Sequence, residues 1–189
     1  MKEIELFALE DGIDNIAIVD RPAIEVDFLC FSKEEKPMRF ADEEKHELTG
    51  AFLVPDLRML RYDENGEPYK VFFSKETVAK IAREFLSNRQ FNIGHSADTD
   101  KIVLLESWIK TTEQDKSTAL GLDVPVGTWL GSVKVNDEIL WNEIKEGKYN
   151  GFSIAGAFTT TKSEEFEAED DSVKELLNTI KDLLDQCDE

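Results

Sequence analysis

The run Gly147-Lys148-Tyr149-Asn150-Gly151-Phe152-Ser153-Ile154-Ala155-Gly156-Ala157-Phe158 sets one serine among small neighbours. Read as a strand, it turns Phe152, Ile154 and Gly156 to one face and Ser153, Ala155 and Ala157 to the other. The Ser153 hydroxyl is then open on a rigid element, with room for a substrate backbone and for free N–H groups. A serine becomes a nucleophile only when a base takes its proton and a third group orients that base. Only two histidines are available, His46 and His95. His46, in Glu44-Lys45-His46-Glu47, reads as a solvated side chain. His95 closes Asn92-Ile93-Gly94-His95, where an imidazole can be both exposed and positioned. Glu106 is the one charge inside an apolar run at 102–110, and a buried charge needs a partner. That partner is either His95, which Glu106 would orient, or an Arg or Lys in an ion pair. Bland readings stand beside each of these: a small-faced buried strand for Ser153 and a structural role for His95. Order along the chain does not choose between them, because triads are defined by geometry.

The elements that must hold these residues follow from periodicity. Residues 3–9, 13–19 and 26–31 read as strands, with Asp11-Gly12 as a turn between the first two and Pro22 ending the second. The polar stretch 36–47 reads as a linker after an N-terminal β segment at 1–35. A strand at 48–54 stops at Pro55-Asp56. Residues 57–62 and 69–73 form the arms of a hairpin around Asn65-Gly66. Ser74 caps a helix to about residue 87, with Val78, Ile81, Ala82, Phe85 and Leu86 on its apolar face. A polar turn is expected at 96–101 and a loop at 111–124. The nearly continuous apolar run 102–110 predicts a strand buried on both faces. Another strand covers 128–135. A helix capped by Asn136 or Asp137 then runs to Lys145, with Ile139, Leu140 and Ile144 inward and Gly147 just past its end.

Composition narrows the chemistry. The chain has 189 residues, 41% hydrophobic and 33% charged, with a net charge of −19. That charge argues against nucleic acid and anionic membranes as partners. The N-terminus lacks a signal-peptide pattern, and no stretch approaches the ~20 apolar residues of a membrane helix. Cys30 and Cys187 form no CxxC and no disulfide framework, which implies a reducing compartment. Without a His-Glu-x-x-His pattern, neither a metal nor another cofactor is expected. Residues 163–189 carry eleven acidic and two basic side chains. Within them 164–171 reads as a charged tether. Val173, Leu177, Ile180, Leu184 and Cys187 form an a/d seam on a C-terminal helix, which docks on its own domain or self-associates.

Five segments carry a resemblance: Asn92-Ile93-Gly94-His95; Leu104-Leu105-Glu106-Ser107-Trp108; Gly127-Thr128-Trp129-Leu130-Gly131-Ser132-Val133-Lys134-Val135; Leu140-Trp141 through Lys145-Glu146-Gly147; and Gly151-Phe152-Ser153-Ile154-Ala155-Gly156. In this order they resemble the phage prohead (capsid maturation) serine proteases, distantly similar to the herpesvirus assemblins. Residues 18–24 also resemble a segment ahead of the protease core in one branch of that family. The resemblance implies an α+β fold with a small, mostly antiparallel β-barrel-like core over 48–162, flanking helices, and a tether and acidic helix at 163–189. It implies Ser153 as nucleophile, matching the family's Gly-Phe-Ser-Ile-Gly motif with Ala155 as a departure, and His95 as base. The third member varies across the family. No histidine follows Ser153, so Glu106 is the choice, with Glu164 or Glu165 as fallbacks. Backbone N–H groups near Gly156 or Gly131 are candidate oxyanion donors. The implied function is a serine endopeptidase that cuts scaffold and major capsid proteins inside the immature capsid in the host cytoplasm, with its own chain as a further candidate substrate. The alternative is a proteolytically inactive assembly scaffold with the same fold.

Overall fold

The computed structural model describes residues 1–20, 29–31 and 45–160. In chain order its elements are β1 (Lys2–Glu5), β2 (Phe7–Val19), β3 (Leu29–Phe31), β4 (Glu47–Leu53), β5 (Met59–Tyr62), β6 (Pro68–Phe72) and α1 (Lys75–Asn88). There follow β7 (Phe91–Ile93), β8 (Ala97–Thr99), β9 (Ile102–Ile109), α2 (Lys116–Ala119), β10 (Trp129–Val135), α3 (Glu138–Lys145) and β11 (Gly151–Thr159). The strands make three sheets, ordered β1-β6-β5, β3-β4-β10-β9 and β11-β2-β7-β8. The class is α+β, and the pairings are antiparallel except β1 with β6 and β2 with β7. Among the described residues these sheets do not close into a barrel, so the barrel-like core expected from the resemblance is replaced by separate open sheets.

The two larger sheets meet through large aromatic side chains. Phe52 of β4 packs edge-on against Phe152 of β11 at 4.8 Å and against Trp129 of β10 at 5.1 Å. Phe85 of α1 continues the cluster to Trp129 at 5.4 Å and to Phe91 of β7 at 5.6 Å. Each edge-to-face pair adds about 0.5–1.5 kcal/mol to the area it buries. The cluster therefore fixes how β11, which carries Ser153, lies over β4 and β10.

Local chemistry explains the helices. The Ser74 side chain accepts from the Thr77 N–H to start α1, and Asp137 accepts from the Leu140 N–H to start α3. Gly147 ends α3 with φ at +78°, and Gly66 turns the β5–β6 hairpin at +79°; both lie in the left-handed region that glycine enters without strain.

Several expectations are corrected. Leu86 and Ile139 are exposed, so the buried face of α1 ends at Phe85, and Trp141 takes the inward place next to Leu140 and Ile144. Strand β9 is an edge strand with Val103 and Leu105 exposed, not a strand buried on both faces. Residues 97–99 pair with β7 instead of forming a polar turn, and α2 interrupts the loop expected at 111–124. Asp11-Gly12 does not end a strand. Instead β2 advances from Ala8 to Ile13 while β11 advances only from Gly156 to Phe158, and the register absorbs the surplus. His46 is not a solvated side chain: its ring stacks on Trp141 at 4.7 Å and is 16% exposed. The seam from Val173 to Cys187, the tether and Glu164 and Glu165 all lie outside the described residues.

Candidate active site

Ser153 sits near the start of β11, where the ladder with β2 is regular. Gly151, Phe152, Ser153, Ile154 and Ala155 face Val19, Ile18, Ala17, Ile16 and Asn15 in turn. Because the period is two, Phe152 and Ile154 enter the core and Ser153 and Ala155 take the other face, as the alternation required. Ser153 is half-buried. On its far side β2 pairs in parallel with β7, and Ala17 stands beside Asn92. The row Ser153, Ala17, Asn92 thus crosses three strands on one face, and about 10 Å separates its outer Cα atoms at ordinary strand spacing.

His95 rides on the turn from β7 to β8. Gly94 still donates its N–H to the Ile18 carbonyl at 2.9 Å, which holds the turn against β2. Gly94 and His95 both have positive φ, at +60° and +56°. The His95 strain is offset locally, because its backbone N–H donates to Asn92 Oδ1 at 3.2 Å. The ring is exposed. Among the described residues neither the His95 imidazole nor the Ser153 hydroxyl makes a hydrogen bond, to one another or elsewhere. Ser153 and the His95 turn therefore belong to one sheet, with β2 between β11 and β7.

Glu106 lies in the other four-stranded sheet, on β9 opposite Ser132 of β10. Lys116 Nζ donates to its Oε2 at 2.6 Å, and Ser132 Oγ donates to the same oxygen at 3.1 Å. With the Ser132 proton so committed, the 2.8 Å contact between Thr49 and Ser132 must be a bond donated by Thr49. Lys116 also lies 3.7 Å from the Trp108 ring centroid. This is the ion-pair reading of Glu106, with the lysine supplied by α2 and not by a neighbouring strand. The Lys116 hydrogen bond, helped by its charge and by Ser132 and opposed by partial burial, holds the Glu106 carboxyl below its ordinary value. Gly131 is mid-strand in β10 with partners on both sides, Gly50 and Ser107, so its N–H belongs to the ladder of that sheet.

A pH dependence follows. Lys101 likewise holds Asp137 below its ordinary value, first through its hydrogen bond, joined by the N–H of Leu140. A carboxyl whose folded value is depressed stabilises the fold above its unfolded value, and this is lost as pH falls through the folded value. The melting temperature should therefore decline on acidification through and below the ordinary carboxylate range. Glu106→Gln should flatten part of that decline, by a small amount because the pair is solvent-screened. An acid limb identical to wild type in thermal melts would remove the ion pair from the account.

A family model described as "Putative phage serine protease XkdF" matches residues 37–162, about two-thirds of the chain. The chain belongs to this family. The match begins after β2 and takes in α1, the His95 turn and β11. Two curated relatives come from Bacillus subtilis (strain 168). "Uncharacterized protein YqbD" is 25% identical over 91% of this chain and 53% of its own length. "Phage-like element PBSX protein XkdF" is 26% identical over 82% of this chain and 56% of its own length. The chain thus spans about half the length of the curated relatives it matches. No solved structure matches it significantly. Among the described residues no helix is long and apolar enough to cross a membrane, and no group of three or more His, Cys, Asp or Glu could hold a metal.

Two residues near Ser153 carried no signal that reading the sequence could use. Asn92 is 4% exposed and donates through Nδ2 to Asn15 Oδ1 at 2.7 Å. These asparagines are 77 positions apart, and only the parallel pairing of β2 with β7 brings them together.

Proposed function

We propose that this member of the phage serine protease family is an endopeptidase of head maturation, with Ser153 as nucleophile and His95 as base. The observation that supports the reading is that Ser153 and the His95 turn lie at one end of a single sheet, with neither side chain engaged elsewhere among the described residues. A hydroxyl and an imidazole left uncommitted at half-exposed positions are available to each other once a substrate closes over them; catalytic hydrogen bonds are often long before substrate binds. Ser153 Oγ attacks the scissile carbonyl carbon, its proton passes to His95, and the carbonyl π pair moves onto oxygen. Collapse breaks the C–N bond, and His95 returns the proton to the leaving amine. Water then repeats the sequence on the acyl-enzyme. Glu106, held by Lys116 and Ser132, acts in this arrangement as a brace between β9 and β10, and its orienting role would require Lys116 to release it.

The substrates in this reading are scaffold and major capsid protein segments inside an immature shell, within the host cytoplasm. The acidic residues 163–189 are the segment that would recruit the chain to that shell. The test is co-assembly with those proteins. Shells containing the wild-type chain should show truncated scaffold by mass spectrometry, and those containing Ser153→Ala should show intact scaffold. Normal maturation with Ser153→Ala would leave an assembly scaffold without proteolytic activity.

A further inference from the structure

The hydrogen bonds beneath the His95 turn fix the orientation of an amide beside Ser153. A backbone N–H can only donate, so the bond from the His95 N–H makes the Asn92 oxygen the acceptor. The Asn92 amide nitrogen must then be the group that faces Asn15, and it donates to the Asn15 oxygen. This leaves the Asn15 Nδ2 as a pure donor, with no acceptor among the described residues. That donor is half-buried and open to solvent, so it can take a bound group as its partner.

Its position identifies that group. Asn15 faces Ala155 across the ladder, and Ser153 faces Ala17, so Asn15 is the diagonal neighbour of Ser153 on the same face. Such neighbours have Cα atoms about 7–8 Å apart. The two residues that complete the square are both alanine, so no bulky side chain intervenes. Immediately past Ala155 the register shifts, the kind of irregularity that re-aims side chains beside active sites. A tetrahedral carbon on Ser153 Oγ bridges most of the remaining gap and brings its oxygen towards the Asn15 amide.

The geometry points to Asn15 as a catalytic residue, the side-chain donor that stabilises the oxyanion formed at Ser153, with Asn92 as its positioning residue. This rests on Ser153 being the nucleophile. The same Asn92 side chain ties the backbone of the base to the amide of the donor, so one hydrogen-bonded unit sets both sides of the reacting carbon. Loss of a single oxyanion donor elsewhere costs roughly 10²–10³ in rate.

The test uses the full chain and a fluorophosphonate probe, whose phosphoryl oxygen occupies the oxyanion position when the serine is phosphonylated. Asn15→Asp keeps an oxygen to accept from Asn92 and replaces the donor with a carboxylate oxygen. It should melt like wild type yet be labelled about 10²-fold more slowly. Asn92→Asp offers only acceptors, which forces Asn15 to turn its nitrogen away, and should slow labelling comparably without touching Asn15 itself. If Asn15→Asp is labelled at the wild-type rate while Ser153→Ala is not labelled, Asn15 is not the donor and the nucleophile stands. If the wild-type chain is not labelled at Ser153, the nucleophile reading falls and the donor falls with it.

Discussion

Ser153→Ala and His95→Ala should each lower peptide hydrolysis by roughly 10⁴-fold or more, and the double variant should be no slower than either. The non-additivity is the informative part. If the hydroxyl is inert without the imidazole, then removing the second group after the first takes away nothing further. Two residues that merely supported the sheet would instead show losses that add, because β2 separates the Ser153 strand from the strand and turn that carry His95. Neither substitution should alter the fold. The Ser153 hydroxyl and the His95 ring make no hydrogen bond among the described residues, so their removal leaves no buried partner unsatisfied. Initial rates on a scaffold-derived peptide, with melting temperatures measured in parallel, provide the check. A double variant slower than both singles by the product of their losses would separate the two residues mechanistically.

The largest expected loss of stability comes from a residue far from any chemistry. A methyl group added at Gly131 would overlap the Phe52 ring at Cε2 and Cζ, and would stand 2.9 Å from the Glu106 carbonyl oxygen. The backbone oxygen cannot move without opening the β9–β10 ladder. The ring is wedged edge-on between Trp129 and Phe152. Overpacking of this kind costs about 3 kcal/mol, which in a chain of this size lowers the melting temperature by roughly 10 °C. Phe52→Leu should recover part of that loss in the double variant, since it shrinks the group in the way. An unchanged melting temperature for Gly131→Ala would show that the Phe52 ring does not lie over Gly131 as described.

Reading the sequence succeeded where the determining forces are local. The 3.6-residue spacing of Val78, Ile81, Ala82 and Phe85, with Ser74 ahead of it, was enough to place α1. Asn65-Gly66 placed the β5–β6 hairpin, and the alternation around Ser153 placed that residue away from the core. It failed where a partner comes from elsewhere in the chain. Glu106 announced itself as a charge in need of a counter-charge, but nothing in the strand says that Lys116, after an intervening loop, supplies it. His46 sits in a charged stretch and looked solvated, because its stacking partner Trp141 belongs to a helix far along the sequence. Ile139 and Leu86 were apolar at helical spacing, yet both side chains are exposed. Asn15 and Asn92 are ordinary polar residues in strands and become conspicuous only when paired.

Strand β2 lies between β11, which carries Ser153, and β7, which leads into the His95 turn, and this has a bearing on the order in which the sheet assembles during synthesis. Its partner β7 leaves the ribosome well before β11, which is the last described element. The β2–β7 pair can form while the chain is still growing, but its other edge waits for Gly151–Thr159. Pairings between such distant segments carry a high loop-closure cost and form late. Amide protection at Ala17, which bridges the two, should accordingly mature only with the complete chain in a refolding experiment. In the proposed reading, a chain assembled in this order has His95 in place early and receives Ser153 later, so during translation it would lack a complete site.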